Sequence, residues 1–157
     1  MLNNYVDHIY CLNLKKRTDR KERFLGRLKE DAGTNLSQLT FIEAIDGDSL
    51  DEVPYPFTKG WPDETTGAFG CLQSHLKAIQ QAKDSNFETI LIFEDDVTFR
   101  EGFTENLNLL FSHVPDNWES LFIGANFQRE PERVNACVST GSAFGAQSYL
   151  LKNTLFE

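Results

Sequence analysis

Residues 89–96 read Thr89-Ile90-Leu91-Ile92-Phe93-Glu94-Asp95-Asp96. Five residues without polar alternation make a strand covered on both faces, and the run stops at once in three carboxylates. Working outward, Phe69, Leu72, Leu76 and Ile79 recur at helical spacing and predict a helix over residues 68–82, with Gly67 and Gly70 allowing close approach near its start. Before it, residues 39–44 (LTFIEA) alternate like a strand closed by Asp46-Gly47-Asp48. The first strand is residues 6–14 (VDHIYCLNL). It runs into Lys15-Lys16-Arg17-Thr18-Asp19-Arg20, and Phe24, Leu25 and Leu28 mark the helix that follows, ending near Gly33.

Downstream, Phe103, Leu107, Leu110 and Phe111 form a third amphipathic stripe, and residues 120–124 (SLFIG) a fourth strand. Residues 125–137 are polar and read as loop, residues 142–151 (SAFGAQSYLL) as a last strand, and a new helix is expected from Lys152-Asn153-Thr154. Strands alternating with helices predict an α/β domain of three layers, Rossmann-type, around a mainly parallel sheet, with residues 1–157 forming one domain. In such sheets ligands bind beyond the C-terminal strand ends, which selects Asn13, Asp46 and Glu94-Asp95-Asp96 together. Residues 48–66 hold three of the five prolines, with Tyr55, Phe57 and Trp61 among them, and read as a lid or binding loop rather than a domain linker.

The chain has 157 residues, 40% of them hydrophobic, and a formal net charge of −9, so it can bury one core and repels nucleic acid and anionic lipid. Cys11, Cys71 and Cys137 show no CxxC spacing, and a reducing compartment follows. There is no basic-then-apolar leader at the start, and no window approaches the roughly 20 apolar residues of a membrane span. A soluble, cytoplasmic product is expected.

Adjacent carboxylates at a buried strand end repel one another and require compensation. A divalent cation supplies it, since magnesium and manganese combine one or two carboxylates with phosphate oxygens and water. The alternative is a solvated acidic turn before the next helix. A weaker reading is a magnesium-dependent phosphotransferase, which resembles the haloacid-dehalogenase phosphatases; Glu94 in place of the nucleophilic aspartate, and the lack of a following glycine, speak against it. Arg17 and Arg20, three apart, share a face if both are helical and could hold a diphosphate or order the carboxylates. His75, beside Ser74 on the second helix, reads more as a hydrogen-bonded packing residue than as a ligand or base, and His8 and His113 carry less signal.

In order along the chain, IYCLNLKKRTDRKERF (9–24), FIEAIDG (41–47), GAFGCLQSHLKAIQQA (67–82) and ILIFEDDVTF (90–99), with LFIGA (121–125) and GAQSYLL (145–151) fitting more weakly, resemble glycosyltransferase family 25. That family includes lipopolysaccharide, lipooligosaccharide and collagen galactosyltransferases. The resemblance implies a GT-A fold, a UDP-sugar donor, often UDP-galactose, a glycan or lipid-linked saccharide acceptor, and manganese or magnesium as cofactor. It places Asn13, Arg17 and Asp46 around the nucleotide and Glu94-Asp95-Asp96 at the family's DxD-like motif. The candidate donor-binding set is therefore Asn13, Arg17, Arg20, Asp46, Ser74, His75 and Asp95, with Glu94 and Asp96 as metal ligands; no catalytic base is assigned. Family members usually extend further, so the chain is expected to be C-terminally short, to lack the acceptor region, and to expose apolar surface that suits a homodimer. The expected activity is transfer of a hexose, in the first instance galactose, by a cytoplasmic enzyme peripheral to the inner membrane. A catalytically inactive nucleotide-sugar-binding or regulatory remnant is the alternative.

Overall fold

The computed structural model describes residues 2–31, 36–53, 65–135 and 137–157. Helices α1 (Thr18–Asp31), α2 (Thr65–Asp84) and α3 (Phe103–Phe111) accompany strands β1 (His8–Asn13), β2 (Leu39–Glu43), β3 (Thr89–Glu94), β4 (Ser120–Phe127), β5 (Glu132–Arg133), β6 (Ser139–Thr140) and β7 (Ala143–Lys152). Five strands form one sheet in the order β2-β1-β3-β7-β4, and β5 and β6 pair as a separate ribbon. β1 pairs in parallel with β2 and β3, whereas β7 runs antiparallel to both β3 and β4. The sheet is thus mostly parallel, with one reversed strand inserted next to the edge. The proposed lid falls largely on residues 54–64, outside the described residues.

The period of two along each strand sorts the core into two halves. Ile9, Cys11, Leu91, Phe93 and Leu150 point to one face, where Phe24 and Leu28 of α1 and Leu107 of α3 cover them. Tyr10, Leu12, Ile42, Ile90, Ile92, Tyr149 and Leu151 point to the other, under Ala78 and Ala82 of α2. Cross-strand partners agree, Leu91 facing Leu150 and Ile92 facing Tyr149. Three layers follow directly from this alternation.

Three local expectations change. Leu72 and Leu76, taken as part of the inward stripe of α2, are exposed, while Gly70, Ser74, His75, Ala78 and Ala82 are buried. Small side chains let the helix axis approach the sheet, so the larger leucines are turned outward. Residues 125–137 are not all loop, because β4 continues to Phe127 and β5 begins at Glu132. The helix expected from residue 152 is a single 3-10 turn, Asn153–Leu155. α2 itself ends at Asp84, with Asn86 in the left-handed conformation (φ 55°) and the Phe87 amide returning to the Ala82 carbonyl at 3.2 Å. No helix among the described residues is long and apolar enough to cross a membrane.

Burial pushes the Cys11 thiol and the Tyr149 phenol well above their ordinary values, with the charge of Asp95 adding to the shift at Cys11. Both groups are held neutral in the fold but ionise at about 8.5 and 10 in an unfolded chain. Their contribution is complete below the unfolded values and is lost as pH rises beyond them. Urea midpoints should therefore hold steady to about pH 8.5 and fall above it, less steeply in Cys11→Ala, provided the thiol is the group responsible.

Candidate functional site

The C-terminal ends of β1, β2 and β3 lie side by side, and what each presents there depends on strand parity. Asn13 continues the Ile9–Cys11 face, and Asp95 continues the Leu91–Phe93 face, so both emerge on the α1 side. They meet: Asn13 Nδ2 donates to Asp95 Oδ2 at 2.7 Å and to the Arg17 carbonyl at 3.0 Å, both side chains being buried. The inward stripe of α1 reaches the same place, because Arg20, Phe24 and Arg27 follow one another at helical spacing. Arg20 Nη1 lies 3.0 Å from Asp95 Oδ1 and 3.1 Å from Asp96 Oδ2, Phe24 packs on Phe93 and Phe99, and Arg27 donates to the Val97 carbonyl at 3.0 Å.

The compensation that the acidic run demands thus comes partly from within the chain. Arg20 neutralises Asp95 and Asp96, and Asn13 donates to Asp95. Asp95 is almost wholly buried, whereas the Asp96 side chain is 48% exposed and open to further ligands.

Arg17 does not share this role. It precedes the helix, so the three-residue spacing does not put it on Arg20's face; it forms a two-point pair with Asp19 at 2.9 and 2.8 Å instead. Asp46 stands apart from the acidic run and pairs with Lys16, whose ammonium hydrogen bond holds its carboxyl below the usual carboxylate range. Lys16, Asp46, Lys15, Glu43 and Lys77 border a groove of about 590 Å³ beyond β1 and β2. Lys77, absent from the expected set, lies three residues after Ser74 on α2 and donates to the Glu43 carbonyl at 2.9 Å. Lys15 and Lys16 are paired with Glu43 and Asp46, so the three lysines leave the groove with one positive charge in excess, in a chain of net charge −9. A second groove, of about 910 Å³, runs from Asp96 between α3 and β4 past Leu107 and Ser148.

The remaining expected residues belong to the other face. Ser74 is buried and joins α2 to the end of β2, accepting from the Ile45 amide at 2.8 Å and donating to the Gly70 carbonyl at 2.7 Å. Glu94 shares the parity of Ile90 and Ile92, so its carboxylate turns toward α2, 3.7 Å from His75 Nε2, rather than toward Arg20. The two carboxylates expected to share a cation therefore have different neighbours: Asp96 has Arg20 of α1, and Glu94 has His75 and Cys71 of α2. His75 Nδ1 lies 2.8 Å from the Tyr149 hydroxyl. Cys71 and Tyr149 were not among the expected site residues; Cys71 precedes His75 by one helical turn, a spacing visible in the sequence, whereas Tyr149 is brought in by the register of β7 against β3.

The chain is similar to proteins of known class. The family model for glycosyltransferase family 25 (LPS biosynthesis protein) matches residues 6–155. Procollagen galactosyltransferase 2 of Homo sapiens is 30% identical over 143 residues, covering 81% of this chain and 22% of that protein. A putative glycosyltransferase of Acanthamoeba polyphaga mimivirus is 32% identical over 121 residues, 74% of this chain and 36% of that protein. Inactive glycosyltransferase 25 family member 3 of Homo sapiens is 25% identical over 166 residues, 93% of this chain and 27% of that protein. The chain spans about a fifth to a third of the length of these relatives. With the match running over residues 6–155, the chain belongs to glycosyltransferase family 25.

Proposed function

We propose that this domain is of GT-A type and transfers a hexose, in the first instance galactose, from a UDP-sugar to a glycan acceptor such as lipopolysaccharide. The observation that carries the reading is the convergence of Asn13, Arg20, Asp95 and Asp96 at the C-terminal sheet edge between two grooves. In this reading the nucleoside occupies the lysine-bordered groove beside Lys16, Asp46 and Lys77. The diphosphate passes Arg20 and Asp96, and the sugar meets its acceptor in the groove that begins at Asp96. Arg20 is held by Asp95 and Asp96 at 3.0 and 3.1 Å, which in this reading places its guanidinium where negative charge would develop.

The donor set suits a manganese or magnesium ion: Asp96 offers a half-exposed oxygen ligand, and hard cations of this kind complete their shell with phosphate oxygens and water. When bound, such an ion neutralises the charge left on the departing UDP. Asp96 is the protein ligand we assign to it, since Glu94 is turned toward α2. An acceptor in lipopolysaccharide assembly places the domain in the cytoplasm, peripheral to the inner membrane.

Relatives that bear the name inactive favour a second reading, a nucleotide-sugar-binding remnant without turnover. UDP release separates the two. The transferase reading expects release from UDP-galactose that rises when saccharide acceptors are added and falls by about a hundredfold or more in Arg20→Met, on the scale of a lost charge-stabilising donor. Binding of UDP-galactose with no release under any acceptor condition would establish the remnant.

A further inference from the structure

Cys71, His75 and Glu94 lie on the α2 face of the sheet edge, and the proposed donor site makes no use of Cys71 or His75. One ligand atom from each, the Cys71 sulfur, a His75 ring nitrogen and a Glu94 carboxylate oxygen, lies within 4.8 Å of the other two. The grouping follows from local structure. Cys71 and His75 are one turn apart on α2 and therefore stack on one face, while the parity of β3 aims Glu94 at the same spot.

His75 supplies the independent indication of a ligand. Its side chain is only 9% exposed, and its Nε2 is buried without a hydrogen-bond partner among the described residues. A buried ring nitrogen left unmade costs free energy, and native structures seldom keep one without use. Glu94 does not satisfy it, because 3.7 Å is too long for an N–H···O hydrogen bond. Tyr149 bonds the other nitrogen at 2.8 Å, which fixes the ring and assigns Nε2 as the atom facing Glu94 and Cys71. An imidazole held through its second nitrogen by an oxygen partner is the arrangement seen around metal-bound histidines.

We infer that Cys71, His75 and Glu94 form a three-ligand site for a zinc-class divalent cation, separate from the Asp96 position assigned to the diphosphate cation. A tetrahedral zinc ion with N, O and S ligands sets neighbouring ligand atoms about 3.3–3.6 Å apart. Here Glu94 Oε1 lies 3.7 Å from His75 Nε2 and 4.0 Å from Cys71 Sγ, and the third separation is within 4.8 Å, so a metal ion would draw the three ligands inward. A sulfur and an imidazole select zinc or cobalt over manganese and magnesium. On binding, the Cys71 thiol gives its proton to solvent, and thiolate, neutral Nε2 and carboxylate enter the shell, leaving a dication with net charge 0 across the site. Cys71 is exposed, so the fourth position opens to solvent on its side and takes a water or another oxygen donor.

The test uses the whole chain, stripped with a chelator and titrated with Co²⁺ alone while near-ultraviolet and visible absorption are followed. One equivalent should bind with a thiolate-to-cobalt charge-transfer band, and Zn²⁺ should displace it. Cys71→Ser should abolish the band, His75→Gln should weaken binding on the order of a hundredfold, and Tyr149→Phe by about tenfold. Asp96→Asn should keep the charge-transfer band, so failure here is distinguishable from failure of the donor reading. Circular dichroism checks that each variant is folded. Absence of the band in folded wild type, or binding that survives in His75→Gln and disappears in Asp96→Asn, would overturn the assignment.

Discussion

Replacing Gly70 with alanine is expected to destabilise the domain by about 3 kcal/mol, at the upper end of the usual cost of overpacking. A Cβ built there would lie 2.6 Å from the Ile45 carbonyl oxygen, 2.9 Å from the Gly47 nitrogen and 3.1 Å from the Gly47 Cα. All three are backbone atoms, so no rotamer change relieves the contact. The clash is also reciprocal, since a Cβ on Gly47 would meet the Thr66 carbonyl carbon and oxygen at 2.3 Å. The first turns of α2 and the segment after β2 are therefore in backbone contact, and Ser74 completes the joint with its bonds to Ile45 and Gly70. Forcing them apart moves Asp46 relative to Lys16 and Lys77, so weaker nucleotide binding should accompany the lower stability. In a domain of this size the melting temperature should fall by roughly 6–12 °C. Gly67→Ala is the control: a Cβ there meets nothing within 4 Å among the described residues, and the alanine variant should melt at or slightly above the wild-type temperature.

Arg20→Met is expected to cost about 2–3 kcal/mol, below the usual range for breaking a buried pair because the Arg20 side chain is one-third exposed. The loss comes from Asp95, whose side chain is 8% exposed and which keeps Asn13 as its remaining hydrogen-bond donor among the described contacts. A second substitution separates charge from packing. If the cost arises from the uncompensated carboxylate, Arg20→Met/Asp95→Asn recovers part of it, giving a coupling energy well above the error of the measurement. Additive effects of the two changes, read from urea unfolding, would show that Arg20 acts through its aliphatic stem alone.

Much of this arrangement was legible in the sequence. The apolar run 89–93 implied a covered strand, and its abrupt end in carboxylates pointed to the C-terminal sheet edge. Gly70 was read as a point of close approach and is one, while Gly67, given the same reading, has no such neighbour among the described residues. The division of the acidic run was also available: counting by two from Ile90 and Ile92 sends Glu94 to the α2 face, and from Leu91 and Phe93 sends Asp95 to the α1 face. Treating the three carboxylates as one cluster hid that separation.

Other features depend on tertiary geometry. The reversal of β7 leaves no mark on its own composition, since an antiparallel strand buried on both faces reads like a parallel one. Tyr149 meets His75 only because of that strand's register. The inward face of α2 was misjudged because large apolar residues dominate a periodicity count, whereas a close-packed helix presents its small residues to the sheet. The pairing of Arg17 with Asp19, rather than with the carboxylates, turns on where α1 begins, and helix boundaries are the feature least sharply encoded.

The central claim is a donor site at the sheet edge that uses Asp96. The most direct test is a calorimetric titration of UDP-galactose and UDP-glucose, with and without manganese, on wild type and Asp96→Ala. Metal-dependent binding of at least one nucleotide sugar, weakened by tenfold or more in Asp96→Ala, is the predicted result; no binding under any condition, or binding indifferent to both manganese and Asp96, would contradict it.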